Sequence, residues 1–468
     1  MSARDRRRAP ERRPSSARAP VADDVGTATD NAGANGSDAS TAAAAGTAAA
    51  VARYEAEVAR HYRWNLGAHL LYGLFGTTGW RLITAPTFVP DYLFRLGGSN
   101  LAVGVLLFAG GVGRFLSPVA GAAYVAHRPL VKRTAVVIGS AMRFQVLGMA
   151  LAALLLPRTA NYATFFALYC AFSVLNGLQT VVYGLLMAKV IPLARRGRFL
   201  GLRDFAGGTT AAAVAWLAAR LLRDMPFPAS YGVTYLVAFV FTSLGLVCFA
   251  AIREPQSPVV DEPRSFATTL RSVPALLAGD PPFAWYCVAR GLGALALMAA
   301  PYFIIAASRF LPHDPANVGR LSVAYFIANT IANLLWGQLA DRVGFRGVFL
   351  AAAALWVAAL GVALGAPTTL AAATALFVLV GCAQGGMQMA SINLVYEFGD
   401  GAGLGLRIAV VNTLGELMAA IAPLAGGVIA DRWSYEALYR VAIGCTIAAA
   451  ATMYHRVRRP IPRRATAW

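Results

Sequence analysis

From Trp64 onward the sequence is a series of apolar runs, most of them close to the length that crosses a membrane as a helix. About 20 apolar residues in a helix span the roughly 30 Å of hydrocarbon in a bilayer. Strands of a β-barrel would be about half as long and would alternate in polarity, so the runs predict helices. Twelve spans are predicted, at 64–91, 99–124, 134–157, 161–189, 203–223, 229–252, 281–307, 315–340, 346–366, 369–396, 404–430 and 434–455.

The composition excludes a soluble protein. The 468 residues are 58% hydrophobic and 13% charged, whereas soluble chains carry about 25% charged residues. The five cysteines all lie inside apolar runs and do not predict a disulfide framework. The sequence has no Walker lysine, no His-Glu-x-x-His and no Gly-x-Ser-x-Gly. We therefore expect no enzyme activity, no metal site and no cofactor.

The net charge of +19 follows the predicted topology. With the amino terminus inside, 19 of the 41 basic residues fall in inner gaps and the carboxyl tail, ten in the first 63 residues and six in outer gaps. This positive-inside bias predicts a multi-pass protein of the cell (inner) membrane with both termini cytoplasmic. The expected partners are the lipid bilayer and a small molecule, without nucleic acid, and we expect a monomer.

The chain is expected to consist of five parts. Residues 1–50 lack apolar periodicity, so residues 1–63 are predicted to be a disordered cytoplasmic tail that ends in a short amphipathic segment at 51–63. An amino-terminal bundle of six helices covers 64–252, and a second bundle covers 281–455. A central cytoplasmic loop at 253–280 joins the two bundles, and a basic cytoplasmic tail occupies 456–468.

The two halves carry matching residues at matching places. Pro86 and Gly104 have the same spacing as Pro301 and Gly319. The tetrapeptide Leu-Gly-Leu-Arg opens span five at 200–203 and span eleven at 404–407. These repeats predict an all-α membrane protein of twelve transmembrane helices, arranged as two pseudo-symmetric six-helix bundles with a site between them.

Residues 337–346, which read GQLADRVGFR, fill the inner gap between spans eight and nine. This string resembles the signature loop of the major facilitator superfamily, and the resemblance implies a secondary active transporter that works by alternating access. The implied gating motif is Gly337, Asp341, Arg342, Gly344 and Arg346, with Arg203 as the partner at the start of span five. The equivalent first-half loop has Ala126 where Asp341 stands, so we expect a one-sided gate.

Charges inside the membrane are costly and mark candidate functional residues. Glu416 is the carboxylate near the midplane and is the candidate for proton coupling, paired with Arg290. Arg114 and Arg143 are expected to bond helix ends or loop carbonyls. In the family that the motif resembles, helices one, four, seven and ten line the cavity. The candidate substrate-binding residues are Arg81, Arg290, Gln384, Gln388, Asn176 and Gln179, although the amides could instead join neighbouring helices.

The predicted function is secondary active transport of a small molecule, driven by a proton or another coupling ion. The arginines favour an organic anion as substrate. An exporter of amphiphilic compounds and an uncoupled facilitator are alternatives within the same class. A non-transporting membrane scaffold or receptor is a further alternative, because of Ala126 and the long amino-terminal tail. The sequence leaves open the substrate and the direction of transport.

Overall fold

The computed structural model describes residues 34–125, 128–191, 193–256, 266–311, 314–398 and 404–457. The chain divides into two compact units, Met1–Ala52 and Arg53–Trp468. In the first unit, the described residues belong to the start of the first helix. The second unit is built from helices, and the described residues contain no strand. The predicted all-α fold is confirmed.

The helices of the amino-terminal half are α1 (Ala34–Thr84), α2 (Phe88–Gly97), α3 (Asn100–Val125), α4 (Lys132–Leu155), α5 (Arg158–Val190), α6 (Leu193–Asp224) and α7 (Ala229–Ala250). Those of the carboxyl-terminal half are α8 (Phe266–Gly279), α9 (Pro281–Ala296), α10 (Phe303–Phe310), α11 (Ala316–Leu364), α12 (Leu370–Asn393), α13 (Leu404–Arg432) and α14 (Tyr435–His455). Short 3₁₀ segments, Leu297–Tyr302 and Leu394–Glu397, follow α9 and α12.

Ten helical segments of the described residues are long and apolar enough to cross a membrane. One of them, α11, contains two predicted spans, 315–340 and 346–366, joined at Gly344. The first predicted span, 64–91, lies in α1 and α2 and is not among the ten. The multi-pass architecture is thus present, while the count of twelve spans stays a prediction.

Helices extend into three segments that were predicted to lack them. α1 begins at Ala34, inside the predicted disordered tail, because the alanine-rich stretch at 41–50 has high helix propensity. α8 occupies part of the predicted central loop. α6 begins at Leu193, ten residues before the predicted span. Arginines at 195, 196 and 198 suggested a loop, but a helix can continue beyond the hydrocarbon into the headgroup region. Residues 1–33, 257–265 and 458–468 lie outside the described residues.

The predicted repeat is visible in the breaks of the first helix of each half. Pro86 lies between α1 and α2, and Pro301 lies in the 3₁₀ segment between α9 and α10. Proline cannot donate a backbone hydrogen bond, and it disfavours helical backbone before it. The two prolines that the sequence repeat aligns therefore interrupt equivalent helices.

Aromatic side chains fill the interior of each half. The ring of Tyr92 lies 4.8 Å from that of Phe165 and 5.0 Å from that of Tyr231, measured between centroids. In the other half, Phe303 meets Trp356 edge to face at 5.6 Å. Such pairs contribute beyond the apolar area that they bury. They contribute to the packing of the helices within each half.

We expect Gly344→Ala to lower the stability of the folded protein. Gly344 has φ 79° and ψ 167°, a backbone conformation that is available almost only to glycine. Strain of this kind costs about 1–3 kcal/mol. Thermal unfolding of the purified protein in detergent should therefore show a lower midpoint.

Gly361→Ala is the matched control on the same helix, since no atom lies within 4 Å of the added methyl group. Its melting temperature should equal or exceed that of the wild type, because alanine is the better helix former. Equal melting temperatures for the two variants would contradict the role assigned to Gly344.

Candidate functional site

The two halves touch along α3 and α13. A methyl group placed on Gly104 would lie 2.7 Å from the carbonyl oxygen of Pro423. One placed on Gly427 would lie 2.6 Å from the carbonyl oxygen of Asn100. Glycine lets the two backbones approach this closely, which is the usual way for helices to associate in a membrane. These contacts lie at the end of the bundles that the sequence predicts to be outer.

A second pair of helices, α6 and α11, repeats this contact. A side chain on Gly319 would collide with the backbone of Ala219, and one on Gly208 would collide with Thr330. The two helices are antiparallel, so Gly319 and Ala219 lie toward the predicted outer end. Gly104 and Gly319, which the sequence repeat aligns, thus serve the same purpose in the two halves.

Toward the predicted inner end the described contacts between these helices stop. The pairing of α6 with α11, continued inward by two turns from Gly208, brings Gly201 level with Gly337, and a methyl group on either glycine would meet no atom within 4 Å. The two halves are therefore closed from the predicted outer end to about the level of Gly208.

A carboxylate of one half caps a helix of the other half at the closed end. Asp431, near the end of α13, accepts hydrogen bonds from the backbone N–H groups of Asn100 (3.2 Å) and Leu101 (2.7 Å) at the start of α3. It also accepts from the Ser99 hydroxyl (2.9 Å) and the Asn100 amide (2.7 Å). The Tyr435 hydroxyl donates to the Asn100 side-chain oxygen at 2.8 Å. A carboxylate at a helix amino terminus satisfies unpaired N–H groups and interacts favourably with the helix dipole.

The equivalent helix of the second half is capped from within its own half. Asp314 accepts from the backbone N–H of Ala316 at 2.9 Å and pairs with Arg320 at 2.6 Å. The start of α3 is thus capped by a carboxylate of the opposite half, whereas the start of α11 is capped by a carboxylate of its own half.

The predicted gating motif lies at the predicted inner end, around the break in α11. Gly344 supplies the non-helical residue at which the chain turns. Arg346 donates to the carbonyl oxygens of Met453 (3.1 Å) and Tyr454, at the end of α14. The Glu397 carboxylate accepts from the backbone N–H of Phe345 at 3.2 Å. Arg346 therefore fixes the loop to its own half.

Three other residues of the motif are accessible at this end. Asp341 and Arg342 are exposed, and Gly337 is partly exposed. Ala126, which stands where the first-half loop would carry its acid, lies outside the described residues.

Arg203 does not lie at a helix start as predicted, because α6 begins ten residues earlier. Its side chain passes over Gly73 of α1, which has no side chain to block it. It donates to the Tyr183 hydroxyl and pairs with the Asp204 carboxylate at 2.8 Å. Among the described residues, its ionic partner in this conformation is Asp204. Asp204 was not singled out from the sequence, since it appeared to lie at the edge of a span.

A cavity of about 270 Å³ with apolar and polar walls opens inside the amino-terminal half, and it brings Asn176 and Gln179 together. The Trp80 indole N–H donates to the Asn176 side-chain oxygen at 3.3 Å. Two arginines, Arg143 and Arg203, also line the cavity. The full lining is Tyr72, Gly76, Thr77, Trp80, Ile83, Met142, Arg143, Val146, Phe172, Asn176, Gln179, Thr180, Tyr183, Arg203 and Thr242.

Arg81 and the amides of α12 lie apart from this cavity lining. Arg81, half-buried on α1, lies within electrostatic range of Asp204 and of the Tyr325 hydroxyl. Tyr325 donates to the Gln384 side-chain oxygen at 2.9 Å. Gln388, one turn further along α12, is exposed. Gln384 therefore has a hydrogen-bond partner, Tyr325, within its own half, and Tyr325 is also within electrostatic range of Arg81.

Arg290 and Glu416 do not form the predicted pair in this conformation. Arg290 is buried, lies against Gly415, and donates to the Ser391 carbonyl oxygen and to Asn412 (3.3 Å). Glu416 is exposed, and the described residues include no ion pair between its carboxylate and Arg290. Arg290 contacts position 415 of α13. Successive residues of a helix point about 100° apart, so position 416 faces a different direction from the side that Arg290 contacts.

Glu416 faces the other half instead. One turn along α13, Ala420 packs against Gly111 of α3. Residues four apart share a helix face, so Glu416 continues this contact face toward the predicted inner end. Because Gly111 lies opposite Ala420, Arg114 of α3 lies at about the same depth as Glu416 of α13.

The structure also contains charged pairs that the sequence did not reveal. Asp91 of α2 is 1% exposed, accepts from the Tyr231 hydroxyl and pairs with Arg95 at 2.8 Å. Arg407, the repeat mate of Arg203, pairs with Asp280 at 2.6 Å. The sequence signal for Asp91 was weak, because the break at Pro86 that buries α2 is a tertiary feature.

The sequence model of the family described as Major Facilitator Superfamily matches residues 308–468. These residues include the motif at 337–346 and helices α11 to α14. The resemblance to the major facilitator superfamily is confirmed. No curated protein matches the chain in sequence.

Solved structures of major facilitator transporters share the fold of the chain. The nucleoside transporter NupG matches with a TM-score of 0.61 at 13% identity, over 84% of this chain and 99% of that one. The inward open xylose transporter XylE from E. coli matches with a TM-score of 0.62 at 13% identity, over 87% and 98%. The human organic anion transporter MFSD10 matches with a TM-score of 0.60 at 14% identity, over 84% and 99%.

We expect Asp431→Asn to weaken the closed end of this major facilitator fold. Hydrogen bonds to a charged group contribute about 1.5–3 kcal/mol each, so the population closed at that end should fall by about tenfold or more. Spin labels at Arg158→Cys and Leu370→Cys, exposed at the predicted outer ends of α5 and α12, report the separation. The native cysteines are replaced by serine. Pulsed electron–electron double resonance then measures the distance between the two labels, which should lengthen in the variant.

Glu436→Gln is the control, because Glu436 is an exposed acid whose partner, Arg440, lies on the same helix. Its label distances should match those of the parent protein. An unchanged distance distribution in Asp431→Asn would refute the role of the cap between the halves.

Proposed function

We propose that this chain is a secondary active transporter that carries a small molecule by alternating access across the inner membrane, with both termini cytoplasmic. One observation supports the proposal: backbone contacts join the two halves from the predicted outer end to about Gly208, and a cavity opens within the amino-terminal half. A second conformation with the opposite end closed would expose the site to the other side.

The closed end has the properties of a reversible contact. It consists of small residues against backbone, the Asp431 cap and single hydrogen bonds such as Ser322 to Thr87 at 2.8 Å. Small residues pack without interlocking side chains, and the cap bonds can be replaced by water when the ends separate. Each half keeps its own aromatic interior during this movement.

Glu416 is the proposed proton-coupling residue, with Arg114 as its partner in the opposite half. Its exposed carboxylate lies on the face of α13 that approaches α3. Closing the inner end would bring this face of α13 onto α3, and Arg114 has a side chain long enough to meet the carboxylate there. An ion pair formed away from water is favoured only while both groups are charged.

Protonation of Glu416 would therefore act on the conformational equilibrium. The charged carboxylate stabilises the state closed at the inner end, through Arg114. The neutral carboxyl loses this stabilisation, which favours the state that is open at the inner end. A ligand or proton shifts such an equilibrium only through its different affinity for the two states.

We expect Glu416→Gln to uncouple transport from the proton gradient. Proteoliposomes that contain the pH dye pyranine are mixed with a panel of organic anions, and a coupled substrate alters the internal pH. The variant should exchange radiolabelled substrate across the membrane yet fail to accumulate it when a pH gradient is imposed. The glutamine keeps the shape of the side chain and removes its titration.

Glu436→Gln serves again as the control, since Glu436 is exposed and pairs within its own helix. It should accumulate substrate as the wild type does. Full pH-driven accumulation by Glu416→Gln would contradict the coupling role. Absence of exchange for every anion in the panel would contradict the transport function.

The motif at the inner end is the proposed gate that opposes the Asp431 cap. Gly337, Asp341 and Arg342 lie at the end where the described contacts between α6 and α11 stop, while Gly344 and Arg346 hold the loop in place. Continuing the α6–α11 pairing brings Asp341 level with Gly197, near the amino terminus of α6. An anion there gains from the helix dipole. Arg203, two turns further in, would line the passage rather than form the latch.

Asp341→Asn should favour the conformation that is open at the inner end, because the closed gate loses its charge-assisted contacts. Spin labels at Arg133→Cys and His455→Cys, exposed near that end of α4 and α14, should report a larger separation. On the outer label pair, Asp341→Asn should change the distance in the direction opposite to Asp431→Asn. Identical distances in Asp341→Asn and the parent protein would exclude the gating role.

The arginines favour an organic anion as the substrate. The neighbours named above are a nucleoside transporter, a xylose transporter and an organic anion transporter, so fold similarity alone does not select a substrate. Asn176 and Gln179 share one cavity, which supports them as binding residues. The other proposed substrate-binding residues are Arg81, Arg290, Gln384 and Gln388.

A further inference from the structure

We infer that Arg143 and Gln179 form the recognition site of the cavity for an aromatic carboxylate that carries a hydroxyl group. The inference rests on the proposed transport function and names its substrate class. Neither the carboxylate-binding role of Arg143 nor the aromatic walls followed from the sequence, which had suggested a structural arginine.

Arg143 is a cation that lacks a counter-ion. It is 9% exposed, within α4, and lines the cavity. Its guanidinium donates from Nε to the Thr242 carbonyl oxygen at 2.8 Å and from Nη1 to the Gly139 carbonyl oxygen at 2.6 Å. Among the described residues, no carboxylate lies within 4.0 Å of it.

The two backbone contacts orient the guanidinium without neutralising it. They leave Nη2 without a partner in the described part of the chain, beside the cavity. The other cavity arginine, Arg203, is already paired with Asp204. An unpaired charge inside a membrane span is costly, and a carboxylate ligand would relieve that cost with charge-assisted hydrogen bonds.

Gln179 supplies an independent second observation. Its residue is 7% exposed, and its buried Oε1 has no hydrogen-bond partner in the described residues. Buried acceptors are almost always satisfied, so an unpaired one that lines a cavity indicates a donor on the ligand. A carboxylate cannot donate, and therefore a hydroxyl group must accompany it.

The two polar groups lie close together. A methyl group at Gly139 would stand 3.1 Å from Arg143 Nη1 and 3.7 Å from Gln179 Nε2. One small ligand can therefore reach both side chains at once. The absence of a side chain at Gly139 leaves room for the guanidinium to lie in this position.

Aromatic side chains supply another part of the surface. Tyr72, Trp80, Phe172 and Tyr183 line the same cavity. Trp80 is held by its hydrogen bond to Asn176. Flat rings stack favourably on such walls. The volume of about 270 Å³ is near the lower end of ligand pockets, which measure roughly 300–1,000 Å³, so a ligand with one ring fits best.

The test measures binding to purified full-length protein by thermal shift and by isothermal titration. The probes are 3-hydroxybenzoate and three analogues, each of which lacks one feature. Benzoate lacks the hydroxyl donor, 3-hydroxybenzamide lacks the negative charge, and 3-hydroxycyclohexanecarboxylate lacks the aromatic ring. We expect 3-hydroxybenzoate to raise the melting temperature most and the neutral amide to have the smallest effect.

Three variants locate the site. Arg143→Gln should weaken 3-hydroxybenzoate binding by about tenfold or more, and Arg143→Lys should restore part of it. Gly139→Ala keeps the charge but places a methyl group 3.1 Å from Arg143 Nη1, which shifts the guanidinium, so it should also weaken binding. Its closest contact otherwise is the flexible end of Leu246, which allows the fold to adjust. The control Arg220→Gln removes an exposed arginine that lies over Trp216 of α6, outside the cavity, and should bind like the wild type.

Two outcomes would overturn the inference. One is that 3-hydroxybenzoate fails to bind the wild type, and the other is that it binds Arg143→Gln and Gly139→Ala with undiminished affinity. In either case, exchange of another anion in the proteoliposome assay would leave the transport function intact. Failure of both assays would instead contradict the transport function.

Discussion

The close approach of two antiparallel helix pairs, α3 with α13 and α6 with α11, is the constraint on which the rest of the structure depends. Gly104 and Gly427 in the first pair, and Gly208 and Gly319 in the second, permit backbone contact. In a bilayer, apolar side chains gain little by leaving lipid for protein, so helix association relies on such packing and on hydrogen bonds. The contacts run from the predicted outer end to about the level of Gly208, and beyond it Gly201 and Gly337 have no atom within 4 Å of an added methyl group.

The second organising force is the cost of charge inside the membrane. Most intramembrane arginines have a partner that reduces this cost, and the partners differ in kind. Arg407 pairs with the Asp280 carboxylate, and Arg290 donates to a carbonyl oxygen and an amide. Arg143 has carbonyl oxygens but no carboxylate. Arginines with a carboxylate or an amide partner hold helices together, whereas Arg143 remains available for an anion.

Much of the fold was predictable from the sequence, whereas the details of the site were not. The apolar runs and the motif at 337–346 were sufficient for the architecture and the family, because both are local patterns. The segment between Gly337 and Arg346 contains the break in α11 at Gly344. The start of α6 was misplaced, because a cluster of arginines reads as a loop even where a helix continues. Arg203 was therefore expected at a helix end that lies ten residues away.

The sequence by itself determined the helices, the repeat and the residue types that can carry charge in a membrane, since these depend on composition and spacing along the chain. Only the tertiary structure decided which groups meet. It placed Arg290 against Gly415 rather than beside the neighbouring Glu416, and it joined Asp431 to the start of α3. It also left Arg143 and Gln179 side by side, without polar partners for Nη2 and Oε1 among the described residues. Contacts between distant segments depend on helix rotation and register, which local sequence patterns do not encode.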